Sequence, residues 1–415
     1  MKKPATAYVH AAELITNVGV RAKGGVGITE EDLGIITDGA VVLAKNGTVL
    51  WTGLTKEIPR ALLRGTKRVD LKGRQVLAPA LVDCHTHLIF DGIRDDEFAM
   101  RLAGATYEEV AAAGGGIVKS VAATRAASAD RLYELGCERI DAILKLGVGI
   151  LEIKSGYGLD LATEIKVLKV AQQLKKKYAK RMVIRTTFLG AHAFPPRTKT
   201  DVEREAYVTE ICERMLPAVA KEKLADACDV FFDRGYFTAD QSRRILKRAQ
   251  GLGLQIKVHA DELSPAGGAE LAAELGALSA DHLLQASERG LAAMAKAGTV
   301  AVYLPTTAFF LKIPYADVTK ARKAHVCMAL ASDFNPGSSP TFHMPFVMTL
   351  ACLHMGMTMP EAFAAATFGG ARALGLHEEH GAIVLGARPQ LATFDVQSYR
   401  GLMGQLAHPG LGIVL

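Results

Sequence analysis

The chain has 415 residues, too many for one small core and enough for a large domain with a smaller companion. Its residues are 49% hydrophobic and 22% charged, which excludes a disordered chain. The formal charge of +6 is mild, and most of the basic excess falls in the helical pattern Lys166 to Arg181, KVLKVAQQLKKKYAKR. No nucleic-acid motif accompanies it, so it reads as a solvated helix face.

Residues 1 to about 77 alternate short apolar runs with Gly-rich turns. The KNGT turn at 45–48 predicts a β-hairpin. From 81 onward, strand-like apolar runs alternate with helical segments such as 238–250 and 267–276. The runs at 81–90, 148–157, 182–192, 228–233, 255–262, 278–283, 299–305 and 326–334 make eight strands. Eight strands alternating with helices predict an α/β protein built on a (β/α)8 TIM barrel. The stretch 381–396 returns to strand-and-turn texture. It is expected to join the N-terminal strands in a small β-sandwich domain built from both chain ends. The expected partition is 1–77 for the first part of that domain, 78–374 for the barrel and 375–415 for the second part.

Six scattered cysteines (Cys84, Cys137, Cys212, Cys228, Cys327 and Cys352) form no CxxC motif and predict buried free thiols in a reducing cytoplasm. The N-terminal stretch lacks the apolar core of a signal peptide. The longest apolar stretch, 297–311, contains a proline and falls short of the ~20 residues a membrane span needs. A cytoplasmic protein with neither membrane nor nucleic-acid partners is expected.

Chemistry is expected at the C-terminal ends of the barrel strands. In VDCHTHLIFDGIR (82–94), His85 and His87 fall on one face of the first strand. Two imidazoles on a buried face need partners, and a metal ion would satisfy both. A pair of hydrogen-bonded core histidines is the plain alternative. The same end of other strands carries Lys154 to Tyr157, His192, His259 with Glu262, His282, and Asp333 with Asn335. Packing alone explains one such residue more readily than six strands of them.

The grouping suggests a metal site of His85, His87, His259 and Asp333. Three neutral imidazoles and a carboxylate suit one divalent ion such as zinc or iron, with a position open for water that turns acidic on binding. The fourth strand, CDVFFDRGYF, offers no lysine to bridge a second metal, and Lys154 on the second strand is read as structural. Glu262 is placed to act as general acid or base, with a surface carboxylate as its alternative. His282 could hydrogen-bond the water or an oxyanion. Arg94 could grip a substrate carboxylate, or instead pair with Asp95 or Asp96 at the rim. The run AAAGGGI (111–117) lacks the lysine and hydroxyl of a phosphate loop.

The segments DCHTHLIFDGIRDDEFAMRLAGATYEE, AGGGI, EIKSGYGLDL, TFLGAHAFPP, KVHADEL, GGAELAAELGALSADHL and ASDFNPGS resemble the amidohydrolase superfamily. Within it they resemble the branch that opens an imidazolone ring in histidine degradation. HxH alone marks the superfamily; KSGYGLD, GAHAFPP and DFNPGS together mark the branch. The resemblance implies hydrolysis of 4-imidazolone-5-propanoate to N-formimidoyl-L-glutamate by a mononuclear zinc or iron enzyme that forms a homodimer. It implies metal ligation by His85, His87, His259 and Asp333. It implies substrate binding by Arg94, Tyr157, His192, Glu262, Asn335, Gly337 and Ser338, and catalytic roles for Glu262, His282 and Asp333. Pro389-Gln390-Leu391 stands where superfamily chains commonly have Ala-Asp-Leu. Two rival readings stand beside this one: a deaminase or ring-opening amidohydrolase acting on a nucleobase-like ring, and a non-catalytic scaffold barrel.

Overall fold

The computed structural model of the chain describes residues 3–105, 109, 115–196, 198–405 and 412–415. Residues 111–114 of the AAAGGGI run therefore lie outside the described residues. The chain opens with strands β1 (Pro4–Ile15), β2 (Ile35–Ala44), β3 (Val49–Leu54), β4 (Lys67–Asp70) and β5 (Val76–Pro79). β2 and β3 form the expected hairpin. In its turn the Asn46 side chain accepts hydrogen bonds from the Thr48 backbone and hydroxyl.

Eight further strands follow in one parallel sheet, in chain order: β6 (Leu81–Asp83), β7 (Val148–Lys154), β8 (Val183–Ala191), β9 (Ala227–Phe232), β10 (Gln255–Ala260), β11 (Ser279–His282), β12 (Val300–Tyr303) and β13 (Met328–Leu330). All seven residues of β7 are buried, as a strand covered on both faces requires. The sheet closes between β13 and β6. A bridge joins Thr86 to Phe334, Asp333 N–H donates to the His85 carbonyl (3.0 Å), and His87 N–H donates to the Phe334 carbonyl (2.9 Å). The regular parts of β6 and β13 are shorter than the apolar runs that predict them. Next to them the Asp83 carboxylate takes the N–H and hydroxyl of Ser332, in place of backbone ladder bonds.

The helices pack outside the strands. Thr238 and Gln241 form a capping box at the start of helix Ala239–Gly251, which buries Ile245, Leu246 and Ala249. The lysine-rich helix Leu161–Tyr178 is less solvated than its sequence suggests. Lys166 donates to the carbonyls of Thr124, Arg125 and Ala127 at the end of helix Ile117–Ala126. Lys175 pairs with Asp226 at 2.9 Å, and Lys169 with Glu222 at 2.8 Å.

Strands β14 (Leu391–Phe394) and β15 (Gly412–Val414) return to the N-terminal strands. β14 pairs with β5 and β15, so both parts of the chain share one seven-stranded sheet. Ala78 and Pro79, on the barrel side of the expected boundary, pair there with Ala392 and Leu391. The expected sandwich is one continuous hydrogen-bonded sheet. A register shift between Tyr8 and Ala11 lets the two halves of β1 serve β4 and β5 in turn. All six cysteines are free, and only Cys352 is partly exposed. Among the described residues no helix is long and apolar enough to cross a membrane.

Candidate functional site

The loop after β6 brings His85 and His87 to the barrel's C-terminal mouth, β10 brings His259, and the segment after β13 brings Asp333. All four are buried. The His85 ring centroid lies 5.3 Å from that of His87 and 4.5 Å from that of His259. The three histidines each offer a ring nitrogen within 4.8 Å of the others. Asp333 Oδ1 lies 3.5 Å from the Nε2 atoms of both His85 and His87. Asp333 Oδ2 accepts from the Thr307 hydroxyl at 2.7 Å, which leaves Oδ1 toward the histidines. Asp333 holds a positive φ of 54°, which aspartate tolerates and which turns the chain out of the barrel wall.

The Nε2 atoms of His85 and His259 are buried and have no hydrogen-bond partner, and His87 turns its Nε2 to the same carboxylate oxygen, Asp333 Oδ1, as His85 does. Buried polar atoms are normally satisfied, so convergent orphans point to a missing ligand. Burial pushes the pKa of His85 well down and that of His259 down to about 4, so both rings are neutral. Burial works to raise Asp333, but hydrogen bonding to His87 and Thr307 and the nearby His282 outweigh it and hold it ionised. Neutral imidazoles with one carboxylate are the donor set a divalent zinc or iron ion takes. The four residues fit such an ion.

Beneath them lies a buried ionic network. Lys154 Nζ sits 2.6 Å from Asp229 and 3.1 Å from Glu152, and Lys257 Nζ sits 2.6 Å from Glu152 and 3.4 Å from Asp281. Asp281 Oδ2 in turn lies 2.6 Å from His85 Nδ1. Asp229 Oδ2 lies 2.9 Å from His259 Nδ1, though not aligned as a hydrogen bond. Each carboxylate orients a histidine so that its other nitrogen faces the pocket. Three carboxylates against two ammonium groups leave one negative charge in excess, and Asp333 adds a second. A divalent cation balances both. Lys154, read from the sequence as structural, pairs in this network with Asp229 and Glu152. Glu152, Asp229, Lys257 and Asp281 escaped that reading, although each is a charged residue inside an apolar strand run, where burial demands a partner.

The remaining expected residues lie around His85, His87, His259 and Asp333, Arg94 by way of Gly337. Glu262 Oε2 lies 3.5 Å from His282 Nε2, and burial pushes the Glu262 carboxyl up to about 7. Neither ring nitrogen of His282 has a hydrogen-bond partner. His192 stacks on His87 at 4.7 Å between centroids, and its Nδ1 contacts the Gly156 carbonyl at 3.1 Å. A carbonyl only accepts, so Nδ1 carries the proton and Nε2 is left as an acceptor. Gly156 has φ 114°, and a Cβ there would meet His192 at 3.0 Å, so KSGYG needs its first glycine. Tyr157 lies 5.5 Å from His192 and 5.8 Å from His87 between centroids. Asn335 braces the loop: its amide donates to the Asp333 carbonyl and Ser338 hydroxyl, and its Oδ1 accepts from the N–H groups of Gly337 and Ser338. Arg94 forms its ion pair with neither Asp95 nor Asp96. Its Nε and Nη2 grip buried Glu97 at 2.8 and 2.6 Å.

The barrel and this pocket define a metal-dependent hydrolase. A family model described as the amidohydrolase family matches residues 76–409, and the chain belongs to that family. It is similar to the imidazolonepropionase of Geobacillus kaustophilus, 47% identical over 396 residues that cover 95% of this chain and 92% of that protein. It is similarly related to the imidazolonepropionase of Symbiobacterium thermophilum, 46% identical over 98% of this chain and 94% of that protein. Among solved structures, an adenosine deaminase from Xanthomonas campestris with bound zinc aligns at a TM-score of 0.66 and 17% identity, covering 98% of this chain and 88% of that one. That likeness shows the shared fold.

Proposed function

We propose that this site opens the ring of 4-imidazolone-5-propanoate by hydrolysis to N-formimidoyl-L-glutamate, the imidazolonepropionase reaction of histidine degradation. The observation that carries the reading is the 47% identity to a named imidazolonepropionase across 95% of the chain. The pocket supplies the chemistry this needs. One divalent ion per subunit, zinc or iron, held by His85, His87, His259 and Asp333, would supply an acidic water and polarise the ring carbonyl.

The reaction joins a water oxygen to the ring carbonyl carbon and breaks the adjacent carbon–nitrogen bond. Glu262 takes a proton from the water and returns one to the leaving nitrogen. A carboxyl group poised near neutrality suits both tasks. His282 donates to the oxygen on which negative charge develops. Thr307 fixes the rotamer of Asp333, which orients Oδ1 toward the histidines and assists proton movement there. His192 and Tyr157 hold the ring, and the loop of Asn335, Gly337 and Ser338 closes the pocket beside it. Arg94 meets the carboxylate arm.

The same proposal places the enzyme in the cytoplasm, supported by its six unpaired cysteines, and makes it a homodimer, which light scattering would test. A nucleobase-type hydrolase is the rival with the same fold. Assay of purified, metal-loaded protein against the imidazolone acid and a panel of nucleobases separates the two. Turnover of the imidazolone alone is expected, and turnover of a nucleobase alone would overturn the proposal.

A further inference from the structure

Two guanidinium groups meet at the loop that follows Asp333. Arg94 packs so closely on Gly337 that a Cβ there would collide with the Arg94 guanidinium. Arg101, one helix turn beyond Glu97 on helix Asp95–Leu102, donates from Nη2 to the Gly337 carbonyl at 3.1 Å. Burial and then the neighbouring Arg94 charge depress Arg101, so the two cations feel each other. Glu97 is the carboxylate between them. It takes two donors of Arg94 and the Gly116 N–H, and makes no bond to Arg101. Arg101 Nε is buried and has no hydrogen-bond partner, while the guanidinium rests over the Phe310 ring at 5.1 Å. Among the described residues, two cations against one anion leave one positive charge, and an unused donor, beside a loop of the site.

We infer that Arg101 and Arg94 together form the receptor for a carboxylate on the substrate, with Glu97 as the resident counter-ion that holds Arg94 in place. This deepens the proposed function and rests on it. Glu97 takes the Nε/Nη2 edge of Arg94, which leaves Arg94 only its Nη1/Nη2 edge, packed against Gly337. Arg101 supplies the second charge. The pair selects acids over neutral analogues of the same ring, since an amide arm leaves the positive charge unmatched.

The test is steady-state kinetics of the parent, R101M and R101K on 4-imidazolone-5-propanoate and on its propanamide analogue, with metal content and thermal unfolding measured on each. R101M should raise KM for the acid at least tenfold with kcat within about threefold, leave the amide's constants unchanged, and retain metal. R101K should recover part of the loss. Inhibition by 3-(imidazol-4-yl)propanoate should weaken in parallel, and it can be read on R101K even if R101M is poorly folded. Equal losses on acid and amide, or an unchanged KM for the acid, would overturn the inference and make Arg101 a brace for the Gly337 loop. A parent that turns over neither compound would instead overturn the proposed function.

Discussion

His85 Nδ1 lies 2.6 Å from Asp281 Oδ2, and both side chains are fully buried. The carboxylate can only accept, so it fixes the proton on Nδ1 and leaves Nε2 to the pocket. The first prediction follows from this pair. Asp281→Asn keeps the shape but no longer specifies the tautomer. Outer carboxylates of this kind are worth roughly 10–100-fold in metal affinity. Competition with a chelator should show a loss of that order. Unchanged affinity would mean that packing alone sets the His85 ring.

His85→Ala and Asp333→Ala each remove a donor from a site with few to spare. Elemental analysis of the purified variants should find most of the ion gone. Full occupancy in both would disprove the four-residue site.

Glu262→Gln preserves the hydrogen-bonding outline and removes proton transfer. General acid–base groups contribute ~10²–10⁴-fold to rate. The fall in kcat should have that size with metal retained. A variant as fast as the parent would move the role to His282 or Asp333.

Arg94→Met should lower kcat/KM for the imidazolone acid at least tenfold, about 1.4 kcal/mol. It also leaves Glu97 buried without its cation, so a loss of thermal stability accompanies it. Parental kcat/KM would show that Arg94 serves only Glu97.

Lys257→Met tests the ionic network. The change leaves Glu152 and Asp281 without one of their cations in a fully buried setting. Breaking a buried pair from one side costs roughly 3–5 kcal/mol. Denaturant unfolding should register it. A stability equal to the parent's would mean Lys154 alone neutralises the cluster.

The barrel was legible because buried parallel strands read as continuous apolar runs, and all eight runs became strands in order. Their lengths were not, because Asp83 and Ser332 end the ladder with side-chain bonds that no period reveals. His85, His87, His259 and Asp333 stood out as polar residues at strand ends, and the structure brings all four together. Asp229, Lys257 and Asp281 sit inside strands and pair across the barrel over long sequence separations. Spacing along one strand cannot show such partners. Arg94 illustrates the same limit: acids at three nearby positions compete for it, and only the fold of helix Asp95–Leu102 selects Glu97.

The central claim is the reaction itself, and product analysis tests it most directly. Purified, metal-loaded protein is incubated with 4-imidazolone-5-propanoate, the loss of the imidazolone absorbance is followed, and the product is identified by mass spectrometry. The account predicts one product, N-formimidoyl-L-glutamate, equal to substrate plus one water, with no ammonia released. Intact substrate after incubation with fully metal-loaded protein, or ammonia released in step with the lost absorbance, would contradict it.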